Sequence, residues 1–214
     1  MLDSTRPIGV TLNTDFGRPK SISAGVLQSC LESQKTWFVL RATDSRELKV
    51  QAVLSERGVR TFVPLMWKPS SSPAHTSSSP ARPGIQRQLV PAISSLVFVH
   101  WTREALDAYI RSFGDARPVN YYWDRTTDSP LTVPEKAMED FIAVASTLDE
   151  DIIFLTEISD KLREGQRVKV KQGPFKGVEG KIVRIRKSRR VLVELPGMLA
   201  VASTYVDPKE LEIL

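Results

Sequence analysis

From Thr36 onward the chain alternates between two hydrophobic periods, and each switch predicts an element. Thr36-Trp37-Phe38-Val39-Leu40 is a β-rich run. Asp44 and Glu47 have capping-box spacing and Gly58 supplies a stop, so the pattern predicts a helix with Asp44 as its N-cap. Strand character resumes from Val59 to Trp67 and again at Leu96 to His100. Thr102 then caps a helix whose inward face is Leu106, Tyr109 and Ile110, with Trp101 and Leu106 placed as a hydrophobic staple. Val119 to Trp123 reads as another strand, and Thr132 and Glu135 frame a third helix. In that helix Met138, Phe141, Ile142 and Ala145 fall at i, i+3, i+4 and i+7, the stripe of a helix packed on a sheet.

Period-two alternation returns in Arg167-Val168-Lys169-Val170-Lys171 and Lys181-Ile182-Val183-Arg184-Ile185. Between them Gly173, Pro174, Gly177 and Gly180 predict a tight reversal over Gln172 to Gly177, with Phe175 at the tip of the turn. Its ring has two readings, one folded back over the open end of a small barrel and one offered to a partner. Val191 to Leu195, Met198 to Ala202 and Leu211 to Leu214 complete five short strands in about fifty residues, which fits a small closed barrel.

Three stretches break these periods. Residues 1–35 carry none and read as a loosely ordered extension. In residues 68–87 ten of twenty residues are Ser or Pro, a composition that predicts a mobile loop. Residues 148–161, with Asp149, Glu150, Asp151, Glu157 and Asp160, read as an acidic linker carrying a short strand at Ile152 to Leu155. The expected organisation is therefore α+β: an antiparallel sheet flanked by helices over 36–147 and a five-stranded barrel over 162–214.

Charge sharpens this division. The net charge of the 214 residues is +5, yet Lys161 to Arg190 holds twelve Lys or Arg against Glu164 and Glu179, a local net of +10, which leaves the remainder at −5. A cationic module of this kind suits nucleic acid, although a solvated lysine-rich face has the same composition. The basic candidates there are Arg186, Lys187, Arg189 and Arg190, and on the first helix Arg46, Lys49 and Arg57, where Asp44 and Glu47 dilute the charge.

Little points to catalysis. The histidines are His75 and His100, with no metal-ligand spacing, and Cys30 is the only cysteine. Neither a phosphate-binding glycine loop nor a nucleophile elbow is present. No apolar run approaches the ~20 residues of a membrane span. A non-enzymatic binding protein, cytoplasmic and monomeric, without metal or cofactor, is expected.

Gly173-Pro174-Phe175-Lys176-Gly177-Val178-Glu179-Gly180 closely resembles the KOW motif of the NusG family of bacterial transcription elongation factors. The first half resembles the N-terminal domain of that family more loosely, through Trp37-Phe38-Val39, Pro64 and Val97-Phe98-Val99. Pro134-Glu135-Lys136, Met138-Glu139-Asp140-Phe141 and Arg189-Arg190 look most like the UpxY-type capsular polysaccharide antiterminators. The resemblance implies a factor that binds RNA polymerase at the β′ clamp helices, suppresses pausing or termination, and acts on a polysaccharide biosynthesis operon. By position, the polymerase contacts it implies are Trp37, Val39, Leu96 and Phe98. The turn Gly173, Pro174, Phe175, Lys176 and Gly177 would meet a further partner, Rho or a ribosomal protein. DNA or RNA is a further partner, since some paralogs read a DNA element through the first helix.

Alternation places Leu96 and Phe98 on one face of their strand and Val97 and Val99 on the other, and at least one face must meet helices. Leu96→Asp or Phe98→Asp is expected to abolish polymerase binding with the fold intact. The competing assignment is a structural KOW-type RNA-binding protein of the ribosome, against which a net-acidic remainder of the chain counts.

Overall fold

The computed structural model describes residues 35–69, 87–114, 117–157 and 165–214. The extension 1–35 but for its last residue, most of the Ser/Pro-rich loop, and the C-terminal part of the acidic linker lie outside the described residues.

The first sheet is antiparallel and built around β1 (Thr36–Ala42), which pairs β5 (Leu96–Trp101) along its whole length, from Thr36 opposite Trp101 to Arg41 opposite Leu96. Strand β2 (Arg60–Phe62) pairs the far side of β5, and β6 (Val119–Tyr121) and β9 (Thr132–Val133) pair β1. Between β2 and β5, β3 (Leu65–Pro69) and β4 (Arg87–Pro91) form a separate ribbon, so the single strand expected over Val59 to Trp67 is broken at Val63-Pro64. Proline cannot donate to a ladder, and the break falls where it would have to. A second small ribbon joins β7 (Trp123–Asp124) to β8 (Ser129–Pro130).

Period two puts alternate residues of β1 and β5 on opposite faces, and the structure buries both. Phe38, Leu40, Val97 and Val99 meet α1 (Glu47–Glu56) and α2 (Arg103–Arg111) through Val50, Leu54, Leu106, Tyr109 and Ile110. Trp37, Val39, Leu96 and Phe98 meet α3 (Glu135–Ala145) through Met138 and Phe141.

The helix ends divide the capping expectations. Thr102 Oγ1 accepts from Ala105 N at 3.3 Å, as its position predicts. Asp44 is not an N-cap: its φ is +53°, α1 begins after Arg46, and the Glu47 carboxylate turns inward to accept from Ser95 N. Thr132 does not frame α3 either, because it belongs to β9 and Pro134 stands at the cap. Gly58, at φ +73°, ends α1 as expected.

The C-terminal sheet has six strands rather than five. Its order is β10 (Ile153–Leu155), β14 (Leu199–Ala202), β13 (Ser188–Leu195), β12 (Glu179–Ile185), β11 (Arg167–Val170) and β15 (Leu211–Ile213), every pair antiparallel. The additional strand is the short one expected at Ile152 to Leu155 within the stretch read as a linker; it joins the sheet, with Ile153 pairing Ala202 and Leu155 pairing Ala200. These pairings form an open path from β10 to β15 among the described residues.

Gln34–Leu214 form one compact unit. Helix α3 is the hinge of its packing, lying against β1 on one side and against β13 and β14 on another. One buried cluster consequently runs from Trp37 and Phe98 through Met138 and Phe141 to Val168, Phe175, Val191 and Val201.

Candidate functional site

The four strand residues expected at a polymerase contact, Trp37, Val39, Leu96 and Phe98, do come together. Val39 pairs Phe98, and Trp37 and Leu96 flank that pair on the same face. Their side chains are at most 1% exposed, so they form the floor of the face rather than its surface. Phe141 lies over that floor, its ring 5.7 Å from Phe98 and 6.1 Å from Phe62. The accessible apolar groups are those packed around it and only partly buried, among them Phe62, Ile93 and Ile142. Burial also corrects the expectation that Leu96→Asp or Phe98→Asp would leave the fold intact. An unpaired carboxylate at either position would be forced into an apolar core, which unfolds it.

A polar cluster borders this floor. Glu135, at the start of α3, accepts from Arg60 at 3.3 Å and lies 3.2 Å from His100 Nε2. The Arg60 guanidinium lies 5.1 Å from the Trp37 ring centroid, and the His100 ring is also 5.1 Å from it. Burial holds the His100 imidazole below the ordinary histidine range. The Glu135 carboxylate pulls it up, while Arg60 and Lys35 add to the lowering. Nothing in the sequence pattern singled out Arg60 or Glu135 as neighbours of His100, because Arg60 reaches His100 only through the β2–β5 pairing and Glu135, 75 residues from Arg60, arrives at the start of α3.

The Gly173–Gly180 turn closes as its residues require. Lys176 N donates to Gly173 O, Gly177 N to Val170 O at 2.8 Å, and Val178 N to Phe175 O. Gly177 sits at φ +91°, where a side chain is strained. At Gly180 the constraint is space: a Cβ would collide with the Leu192 carbonyl oxygen and come within 2.7 Å of Val191 Cγ1. Of the residues assigned to a partner contact, Gly173, Pro174 and Lys176 are exposed and Gly177 is half-buried. Phe175 is only 4% exposed and belongs to the shared core, so the ring takes the folded-back position. From α3, Lys136 Nζ reaches this turn, donating to Gly177 O at 3.2 Å and to Asp140 Oδ1 at 2.6 Å.

The basic candidates separate by burial. Arg190 is buried and structural: it donates to Ser203 O at 2.7 Å and to Asp151 O at 2.5 Å, tying the segment before β10 to the sheet. Its inclusion among nucleic-acid contacts is therefore corrected, because both carbonyls would be orphaned if it left. Arg186 and Lys187 are exposed and Arg189 half-buried. At the ends of α1, Arg46 pairs Asp44 at 3.3 Å and Arg57 covers the Tyr109 ring at 5.2 Å, whereas Lys49 within it is exposed and makes no such contact among the described residues.

Among the described residues no group of His, Cys, Asp and Glu could hold a metal ion, and no helix is long and apolar enough to cross a membrane. Residues 164–194 match the family model described as KOW motif. Among solved structures the chain is similar to "Domain interaction in Thermotoga maritima NusG", at 18% identity and a TM-score of 0.41, over 86% of this chain and 99% of that one. No curated protein matches the sequence.

Proposed function

We propose that this chain is a NusG-family transcription factor that binds RNA polymerase through the apolar face of its first sheet, suppresses pausing or termination, and engages a further partner through its C-terminal sheet. The carrying observation is the KOW match over residues 164–194, whose glycine turn adopts the closed geometry its spacing demands, in the same chain as the Trp37–Val39–Leu96–Phe98 face. The resemblance of both halves supports the assignment, and the finer kinship to capsular polysaccharide antiterminators rests on Pro134-Glu135-Lys136 and the residues after it.

Burial refines which atoms would make the contact. The four strand residues act as a rigid floor, and Phe62, Ile93 and Ile142 around it offer the apolar area a clamp helix would cover. For the second partner, Phe175 anchors the turn from below while Pro174 and Lys176 present its outer surface.

The test is Ile93→Asp and Ile142→Asp in the full chain, each checked by circular dichroism and then titrated against core RNA polymerase. Both positions are partly exposed, so the fold should survive. Loss of affinity by about tenfold or more in folded variants is expected, as for apolar residues at an interface centre. Unchanged affinity in both would contradict the assignment of the contact face.

A further inference from the structure

Arginines of the first half gather between α2 and β6. Along α2, Arg103, Asp107 and Arg111 recur at i, i+4 and i+8, which puts them on one face of the helix. Strand β6 is the outer strand of its sheet and pairs β1 alone. The helix face and the strand enclose a depression of about 320 Å³, lined by Arg103, Asp107, Arg111, Arg117, Tyr121 and Trp123 among others. Its floor is fixed from within. Arg103 Nε donates to both Asp107 carboxylate oxygens at 3.0 Å, and the Tyr121 hydroxyl donates to Asp107 Oδ1 at 2.8 Å. Burial, and then that hydrogen bond, push the Tyr121 hydroxyl well above the ordinary tyrosine range, so it stays a donor.

The one carboxylate is thus engaged internally, while guanidinium amino groups stay open. Arg117 commits its Nε to Gly114 O at 2.9 Å, and Arg111 is exposed with no hydrogen bond or ion pair among the described residues. Three guanidinium groups against one carboxylate give the depression a net of +2, in the part of the chain whose charge sums to −5. Trp123 supplies a second, independent feature. It stands in β7, just after β6, and is 55% exposed at the same depression. Guanidinium forks match phosphate oxygens two at a time, and an indole left in water stacks on a base. The volume falls at the small end of ligand pockets, about 300–1,000 Å³, which suits one small molecule that is planar at one end and anionic at the other.

We infer that the depression between α2 and β6 binds a nucleoside diphosphate, with its phosphates on Arg111, Arg117 and the amino groups of Arg103, and its base stacked on Trp123. Val119 and Tyr121 of β6 belong to the cluster under α1 and α2, on the opposite face of the sheet from Trp37, Val39, Leu96 and Phe98. The site therefore stands independently of the polymerase reading.

The experiment titrates the full chain by isothermal calorimetry, in magnesium-free buffer, with ADP, adenosine, pyrophosphate and a 5′-phosphorylated oligo-dA. ADP should bind about tenfold or more tightly than adenosine or pyrophosphate, because it alone meets both the forks and the ring. Trp123 and Arg111 are exposed, so Trp123→Ala and Arg111→Gln should keep the wild-type circular dichroism spectrum. Trp123→Ala should weaken ADP by about tenfold and leave pyrophosphate unchanged. Arg111→Gln should weaken ADP and pyrophosphate alike, by about tenfold each. No heat from ADP at millimolar concentration, equal affinity for ADP and adenosine, or wild-type ADP binding in either folded variant would overturn the site. Tighter binding of the oligonucleotide than of ADP would overturn it as well, because the depression would then serve a strand end rather than a free nucleotide.

Discussion

Phe141 is where the two sheets depend on one side chain, and its truncation should be unusually costly. Its ring lies 5.7 Å from Phe98 and 6.1 Å from Phe62 in the first half, and 6.3 Å from Phe154 in β10 of the second. It is fully buried, so Phe141→Ala removes a large apolar group and leaves a cavity. Truncations of that type cost about 3–5 kcal/mol. Three aromatic contacts, each worth about 0.5–1.5 kcal/mol beyond the buried area, place this site in the upper half of the range, about 4 kcal/mol. Against a total stability of about 5–15 kcal/mol, that is a large share. Urea unfolding followed by far-UV circular dichroism measures it, with Phe141→Leu as a control that keeps most of the volume but gives up the ring contacts, and should fall between wild type and Phe141→Ala. A loss below about 1 kcal/mol for Phe141→Ala would refute the shared core, because it would mean that the ring is not supporting both sheets.

Gly180→Ala should lower stability by about 2–3 kcal/mol in a thermal melt, since its Cβ meets the Leu192 backbone carbonyl rather than a side chain that can swing away; a melt unchanged within a degree would contradict that geometry. Arg190→Ala should cost about 2–3 kcal/mol by stripping charged donors from the Asp151 and Ser203 carbonyls, and hydrogen exchange of β10 amides should accelerate with it; protected β10 amides would show that the arginine does not hold that strand. His100 is held below its ordinary pKa in the folded state, so the unfolded chain takes up its proton first as the pH falls. Its contribution is therefore intact above about pH 6.5 and is lost progressively as the pH drops from there towards the folded-state pKa. The urea midpoint should fall between pH 7.5 and 5.5, and His100→Gln should flatten that fall; an identical slope in the variant would remove His100 as its source.

Where local chemistry decides a structure, the residues alone were informative. Thr102 has a free helix start to cap, Gly58 meets the left-handed stop it is suited to, and the Gly173–Gly180 spacing fixes a turn whose hydrogen bonds stay within eleven residues. Where a distant partner decides, they were not. Glu47 has capping-box spacing from Asp44, yet its carboxylate is captured by Ser95 N, 48 residues away. The strand at Ile153 to Leu155 was legible in its acidic stretch, but its place in the second sheet was not, because that depends on pairing with the distant edge of β14. Arg190 looks like its neighbours in a basic run, but period two sends it to the opposite face from Arg189, where two carbonyls wait. Phe175 could be placed at a turn from spacing alone. Whether its ring faced solvent or core depended on the sheet beneath it, which no local pattern encodes.

The most direct test of the account is the affinity of the wild-type full chain for bacterial core RNA polymerase, compared with polymerase lacking the β′ clamp helices. Binding that requires those helices is the predicted result. Equal binding to both polymerases, or none to either while structured RNA is still held, would contradict it and move the KOW module to a role in RNA binding alone.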